Sequence, residues 1–108
     1  MLAGFSQGAL MSFDVGYRTE LDLAGIMAMS GAIFEGDLPD LRAKKDLPVL
    51  IVHGAQDDVV PVLAARRARL ILGEHGIEPE YHEFPMGHHV TPESMDVVRR
   101  FLDRVLAA

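Results

Sequence analysis

Leu2-Ala3-Gly4-Phe5-Ser6-Gln7-Gly8-Ala9-Leu10 stands at the start of the chain, and its reading decides the fold. Leu2 to Phe5 is an apolar strand stub, and Gln7 to Tyr17 then places Leu10, Phe13 and Tyr17 at helical spacing. Gly8, Ala9 and Ser12 are small enough to let that helix approach a sheet closely. Ser6 falls between the two elements, on a sharp strand-to-helix turn that strains its backbone and exposes its oxygen. Crowding at such a turn calls for glycine two residues to either side, and Gly4 and Gly8 occupy those places.

The same alternation continues downstream. Leu23 to Met29 reads as a second strand, and Gly31 to Asp46 as irregular chain broken by Gly36 and Pro39, with a helical turn around Asp40 to Lys44. Pro48-Val49-Leu50-Ile51-Val52-His53 is the clearest strand, its continuous branched character suiting burial on both faces. A helix from Val62 to His75 follows, stopped where Gly76 can turn left-handed. Glu80 to Phe84 is polar and alternating, as an edge strand is. Thr91 caps a last helix with Pro92 at its first position and Glu93 favoured by the helix dipole. Met95, Val98, Phe101, Leu102 and Val105 line one face of it. The expected architecture is α/β, with about four mostly parallel strands and helices on both faces, because each strand is followed by a helix or crossover.

With 108 residues, the chain supports a single domain over residues 1–108 and one modest core. The net charge of −6 disfavours nucleic acid and anionic membrane surfaces as partners. Arg66, Arg67 and Arg69 form the one tight basic cluster, read as a solvated helix face. The chain contains no cysteine, which excludes disulfides, thiolate metal sites and a cysteine nucleophile. Met1 to Phe13 has neither a basic start nor an unbroken apolar run, and no stretch reaches the ~18 residues of a membrane span. A cytoplasmic location is expected.

The chemistry rests on three strings. Gly-x-Ser-x-Gly arises by chance in roughly 3% of chains this long, so its strand-to-helix context matters more than the pattern itself. A serine hydroxyl needs a base before it becomes a useful nucleophile. The turn also aims the Gln7 amide, at a helix N-terminus, toward any oxyanion formed at Ser6. Asp57 follows the strongest strand through His53-Gly54-Ala55-Gln56, at the carboxyl end of the sheet where active groups gather. Its spacing to Val60-Pro61 favours it over Asp58 as the acid that orients a histidine. His88, after Met86-Gly87, sits in the loop between the last strand and last helix and is the candidate base, with His89 as the alternative. His53 is read as a buttress of the acid turn, and His75 and His82 as a helix end and an edge-strand residue. His88 and His89 lack spaced partners for a metal. Met11, Met27, Met29 and Met86 read mostly as core filler, with Met86 a candidate border of an acyl pocket.

Gly4-Phe5-Ser6-Gln7-Gly8-Ala9, His53-Gly54-x-x-Asp57-x-x-Val60-Pro61 and Tyr81-x-x-x-Pro85-Met86-Gly87-His88 resemble the phospholipase/carboxylesterase branch of the α/β-hydrolases, which also holds the acyl-protein thioesterases. The resemblance is close to the C-terminal half of bacterial carboxylesterases. It implies Ser6 as nucleophile, Asp57 as acid, His88 as base, short-to-medium acyl esters as substrates, and no metal or cofactor. It also implies that the strands before the nucleophile, and the loop giving a second oxyanion amide, are missing. Loss of one such donor costs on the order of 100- to 1000-fold in turnover. The bared Leu2 to Phe5 strand would invite pairing with a second chain, giving a homodimer. Two other readings remain: a weak or inactive hydrolase half kept for assembly or as a remnant, and a lysophospholipase or acyl-thioesterase.

Overall fold

The computed structural model describes residues 1–107. Four strands form one parallel sheet in sequence order: β1 (Leu2–Phe5), β2 (Ile26–Met29), β3 (Val49–Gly54) and β4 (Glu80–Phe84). Helix α1 (Gln7–Arg18) joins β1 to β2, a 3-10 turn at Leu41–Lys44 lies between β2 and β3, α2 (Val62–Glu74) joins β3 to β4, and α3 (Pro92–Leu106) ends the fold. Because the strands advance in one direction, crossovers of one hand put α1 and α2 on the same face.

Alternation along the strands sorts the core into two layers. Ile26, Ala28, Val49 and Ile51 meet Phe13 and Tyr17 of α1 and Ala65, Ala68, Ile71 and Leu72 of α2. Met27, Leu50 and Val52 face the other way, onto Val97, Val98 and Phe101 of α3. All six residues of β3 are buried, as its unbroken apolar run requires when helices cover both faces. Burying Phe101, Leu50 or Phe13 contributes about 1.5–3 kcal/mol each before entropy is counted.

Helix boundaries follow the chemistry of their ends. Gly76, with φ 79°, turns the chain out of α2, and the Ile77 amide reaches back to the Leu72 carbonyl at 2.9 Å. Thr91 caps α3 in a full capping box closed by Ser94, with Pro92 in the first turn. Four details depart from the sequence reading. β2 starts at Ile26, not Leu23, because the ladder begins where the Leu2 amide meets the Gly25 carbonyl and the Ile26 amide meets that of Pro48. Met11 is exposed, since it lies on the side of α1 opposite Phe13 and Tyr17. Met95 is more exposed than the Val98 and Phe101 stripe it was grouped with. Gly8 has open space where a Cβ would stand, whereas a Cβ on Gly4 would lie 2.0 Å from the Gly8 carbonyl. The turn therefore needs glycine at position 4 for room, and position 8 only supplies the backbone that fills it.

Candidate active site

Three loops leave the carboxyl ends of β1, β3 and β4 and meet above the sheet. The first is the turn at Ser6, whose φ of 61° and ψ of −117° lie outside the regions open to ordinary L residues. The turn is fastened to the sheet, for the Ser6 amide donates to the Met29 carbonyl at 2.8 Å. Gly31 packs beneath it, where a Cβ would sit 2.5 Å from the Ser6 carbonyl oxygen. Gln7 is the first residue of α1, so its amide has no acceptor within the helix and is free for an anion near Ser6.

The second loop carries Asp57. Its Oδ1 accepts from the amides of Val59 at 2.9 Å and Val60 at 2.8 Å, which folds the acidic turn around the carboxylate. The side chain is fully buried, while Asp58 is exposed. The third loop carries His88 and is stitched to the second: Ala55 N–H donates to Phe84 O at 2.8 Å, and Gln56 N–H to Met86 O at 3.1 Å. Gly54 permits this close approach, since a Cβ there would stand 2.2 Å from the Met86 oxygen.

These loops bring Ser6, His88 and Asp57 into one hydrogen-bonded line. His88 Nδ1 lies 2.7 Å from Asp57 Oδ2, and His88 Nε2 lies 3.0 Å from Ser6 Oγ. A carboxylate only accepts, so Nδ1 carries the proton and Nε2 offers its lone pair to the serine hydroxyl. The Phe5 ring packs on the imidazole at 4.8 Å between centroids. Burial pushes the Asp57 carboxyl up, but the bond from His88, the Val60 and Val59 amides and the His88 charge outweigh it. The group is held below the usual carboxylate range, so it stays ionised at neutral pH.

The other candidates lie elsewhere. His89 is exposed and outside the line. His53 is wholly buried, with Nε2 2.6 Å from the Val60 carbonyl and 3.6 Å from Asp57 Oδ2. His75 Nδ1 donates to Ile71 O at the end of α2, and His82 pairs with Glu80 on β4. Met86 is buried in the core under α3 and takes the Thr91 hydroxyl on its sulfur at 3.6 Å. An apolar hollow of about 480 Å³ beside His88 is lined instead by Phe5, Met29, His88, His89, Val90 and Met95. The sequence reading did not single out Phe5, Val90 or Met95 for such a surface, and only the fold brings them together. Arg66 forks onto Glu83 at 2.8 and 2.9 Å, and Arg67 pairs with Glu35. Among the described residues no group of three His, Cys, Asp or Glu side chains is placed to hold a metal, and no helix is long and apolar enough to cross a membrane.

Comparison with known proteins adds the family context. A family model described as Phospholipase/Carboxylesterase matches residues 1–106. The chain is 31% identical over 112 residues to acyl-protein thioesterase 1 of Gibberella zeae, a match covering 98% of this chain and 48% of that protein. It is 32% identical over 109 residues to acyl-protein thioesterase 1 homolog 1 of Dictyostelium discoideum, again covering 98% and 48%. The crystal structure of esterase PE8 superposes with a TM-score of 0.83 at 36% identity, over 95% of this chain and 48% of that one. Acyl-protein thioesterase 2 of Zea mays, at 23% identity and TM-score 0.82, shares the fold over 97% of this chain and 55% of its own. The chain thus spans about half the length of the relatives it matches.

Proposed function

We propose that this chain, which belongs to the phospholipase/carboxylesterase family, is a serine carboxylesterase acting on short-to-medium acyl esters. The observation that carries the reading is the unbroken path from Ser6 Oγ through His88 to Asp57, at 3.0 and 2.7 Å. In this mechanism His88 Nε2 takes the hydroxyl proton as Ser6 Oγ attacks the acyl carbonyl carbon. The carbonyl oxygen gains the electron pair and meets the Gln7 amide, while Asp57 stabilises the imidazolium. The C–O bond to the alcohol then breaks, His88 gives its proton to the departing oxygen, and an acyl-Ser6 ester remains. Water gives a proton to the same imidazole and attacks that ester; the C–Oγ bond breaks, Ser6 Oγ takes the proton back from His88, and the carboxylic acid leaves. The apolar hollow beside His88 supports an acyl-bearing substrate.

A fluorophosphonate probe tests serine activation directly. Labelling of the wild type that is lost in Ser6→Ala, together with loss of p-nitrophenyl butyrate hydrolysis, supports the esterase. No labelling of Ser6 overturns it in favour of a non-catalytic hydrolase half. The names of the curated relatives favour one second reading, cleavage of acyl thioesters. Competing S-acyl and O-acyl substrates separate the two, because the reaction differs only in its leaving group.

The same proposal includes a homodimer formed along β1. Among the described residues this strand pairs only with β2, which leaves Ala3 exposed and Phe5 40% exposed. A bare strand edge of this kind is a template for another chain, and a two-fold partner offers the same edge in return. Light scattering on the eluted protein should give twice the chain mass, and a monomer at micromolar concentration overturns the pairing.

A further inference from the structure

The ladder between β2 and β3 runs one step beyond the two strands. The Ser30 amide donates to the Val52 carbonyl at 2.9 Å, with the same offset by which the Ile26 amide meets Pro48. Ser30 therefore stands beside His53. Both are sealed from water, Ser30 at 1% exposure and His53 at 0%. Each also holds a buried polar atom without a hydrogen-bond partner among the described residues, Ser30 Oγ and His53 Nδ1. Ser30 is in addition forced to φ 56°, in the left-handed region that a serine adopts only when its surroundings require it.

The two orphaned atoms are complementary. His53 Nε2 faces the Val60 carbonyl at 2.6 Å, and a carbonyl only accepts, so Nε2 bears the hydrogen. Nδ1 is then a bare acceptor, and the serine hydroxyl is a donor without an acceptor. The reverse tautomer would aim a lone pair at both the Val60 oxygen and Asp57 Oδ2, which lies 3.6 Å from Nε2. Whatever holds the proton on Nε2 therefore steadies the acidic turn.

We propose that Ser30 and His53 form a positioning pair behind Asp57. The Ser30 hydroxyl donates to His53 Nδ1, by rotation about its Cα–Cβ bond or through one bridging water. This satisfies Nδ1 and holds the ring in place while Nε2–H grips the Val60 carbonyl. The Val60 amide in turn binds Asp57 Oδ1, whose other oxygen orients His88. Neither Ser30 nor His53 touches substrate; both act through the acid.

The pair rests on the esterase reading for its kinetic consequence alone, so the test has arms that need no turnover. In the full chain, Ser30→Ala removes the hydroxyl and keeps the left-handed strain, and Ser30→Gly removes both. Nitrogen-15 spectra should show His53 as the Nε2–H tautomer throughout, with the Nδ1 signal of the wild type shifted by an accepted hydrogen bond and moved to that of a bare lone pair in both variants. Ser30→Ala should also unfold at lower urea. If Ser30 were a lone unpaired hydroxyl, deleting it would leave the urea midpoint unchanged or raised and the His53 signals unmoved, and either result overturns the pair. Where the wild type hydrolyses p-nitrophenyl butyrate, both variants should lower kcat on the order of tenfold with KM unchanged. An unchanged kcat with a moved Nδ1 signal overturns the link to Asp57, whereas failure of fluorophosphonate labelling in the wild type reports on the esterase reading itself.

Discussion

Ser6 exchanged for alanine and, separately, for glycine measures the strain held in the turn. Its φ of 61° and ψ of −117° set any Cβ against the backbone, and residues held in such regions cost on the order of 1–3 kcal/mol. Both variants lose the contact between Ser6 Oγ and His88 at 3.0 Å, and that loss cancels between them. Ser6 makes no side-chain cap to α1, so no capping bond enters the difference. Alanine keeps the Cβ and the strain. Glycine sheds both, against roughly 0.5–1 kcal/mol from its freer unfolded chain. Glycine should therefore be the more stable by on the order of 1 kcal/mol, and by no more than about 2.5, the reverse of the usual order in regular structure. The assay is urea unfolding at a common m-value, supported by thermal melts, where each kcal/mol shifts the midpoint by about 4 °C at this size. Alanine equal to glycine, or more stable, would refute the claim that the Ser6 turn is strained.

Asp57→Asn keeps the shape of the turn but removes the charge facing His88, and should lower kcat on the order of 1000- to 10,000-fold. Asp58→Asn, on the exposed neighbour, should stay within about twofold of wild type; similar losses in both would reassign the acid. Because the ionised Asp57 is held below its ordinary value of 3.8, the stability it contributes is present above that pH and lost as pH falls through the lowered value. Urea midpoints from about pH 5 to 2 should fall less steeply in Asp57→Asn than in wild type, and parallel slopes would contradict this. Gly54→Ala would set a Cβ 2.2 Å from the Met86 oxygen, costing about 1–3 kcal/mol and displacing His88, so fluorophosphonate labelling of Ser6 should slow; unchanged labelling would show that the loop yields. Arg66→Ala breaks the fork onto Glu83, a partly exposed pair. The Glu83 carboxyl, held at about 2 first by Arg66 and then by Tyr81, should rise toward its ordinary 4.5, which carbon-13 titration reads directly.

Short-range pattern made most of the architecture legible. The unbroken run of β3 requires two covered faces, and the glycine at 76 and the cap at Thr91 are local devices whose effect needs no distant partner. Other features depended on what lay across the space. Met11 has the same apolar character as Met27, and only the placement of α1 left one in solvent and the other in the core. Ser94 closes the capping box although it is not the glutamate or glutamine that marks such a box in sequence. Ser30 has no local signal at all, because its left-handed backbone follows from the Ser6 turn and the end of β3 packed around it.

The candidate site divides along the same line. Residue types, their order and the element that delivers each are legible along the chain, because backbone propensity and apolar periodicity act over a few residues. Motif spacing also favoured Asp57 and His88 over their neighbours. Ser6 and His88, 82 positions apart, come within hydrogen-bond reach through the register of a parallel sheet and the stitching of the β3 loop onto the β4 loop. Those long-range bonds fix where each loop points, and so which of two adjacent acids is buried against the imidazole. Packing between distant segments settles that, since adjacent residues differ there in direction and burial and not in chemistry.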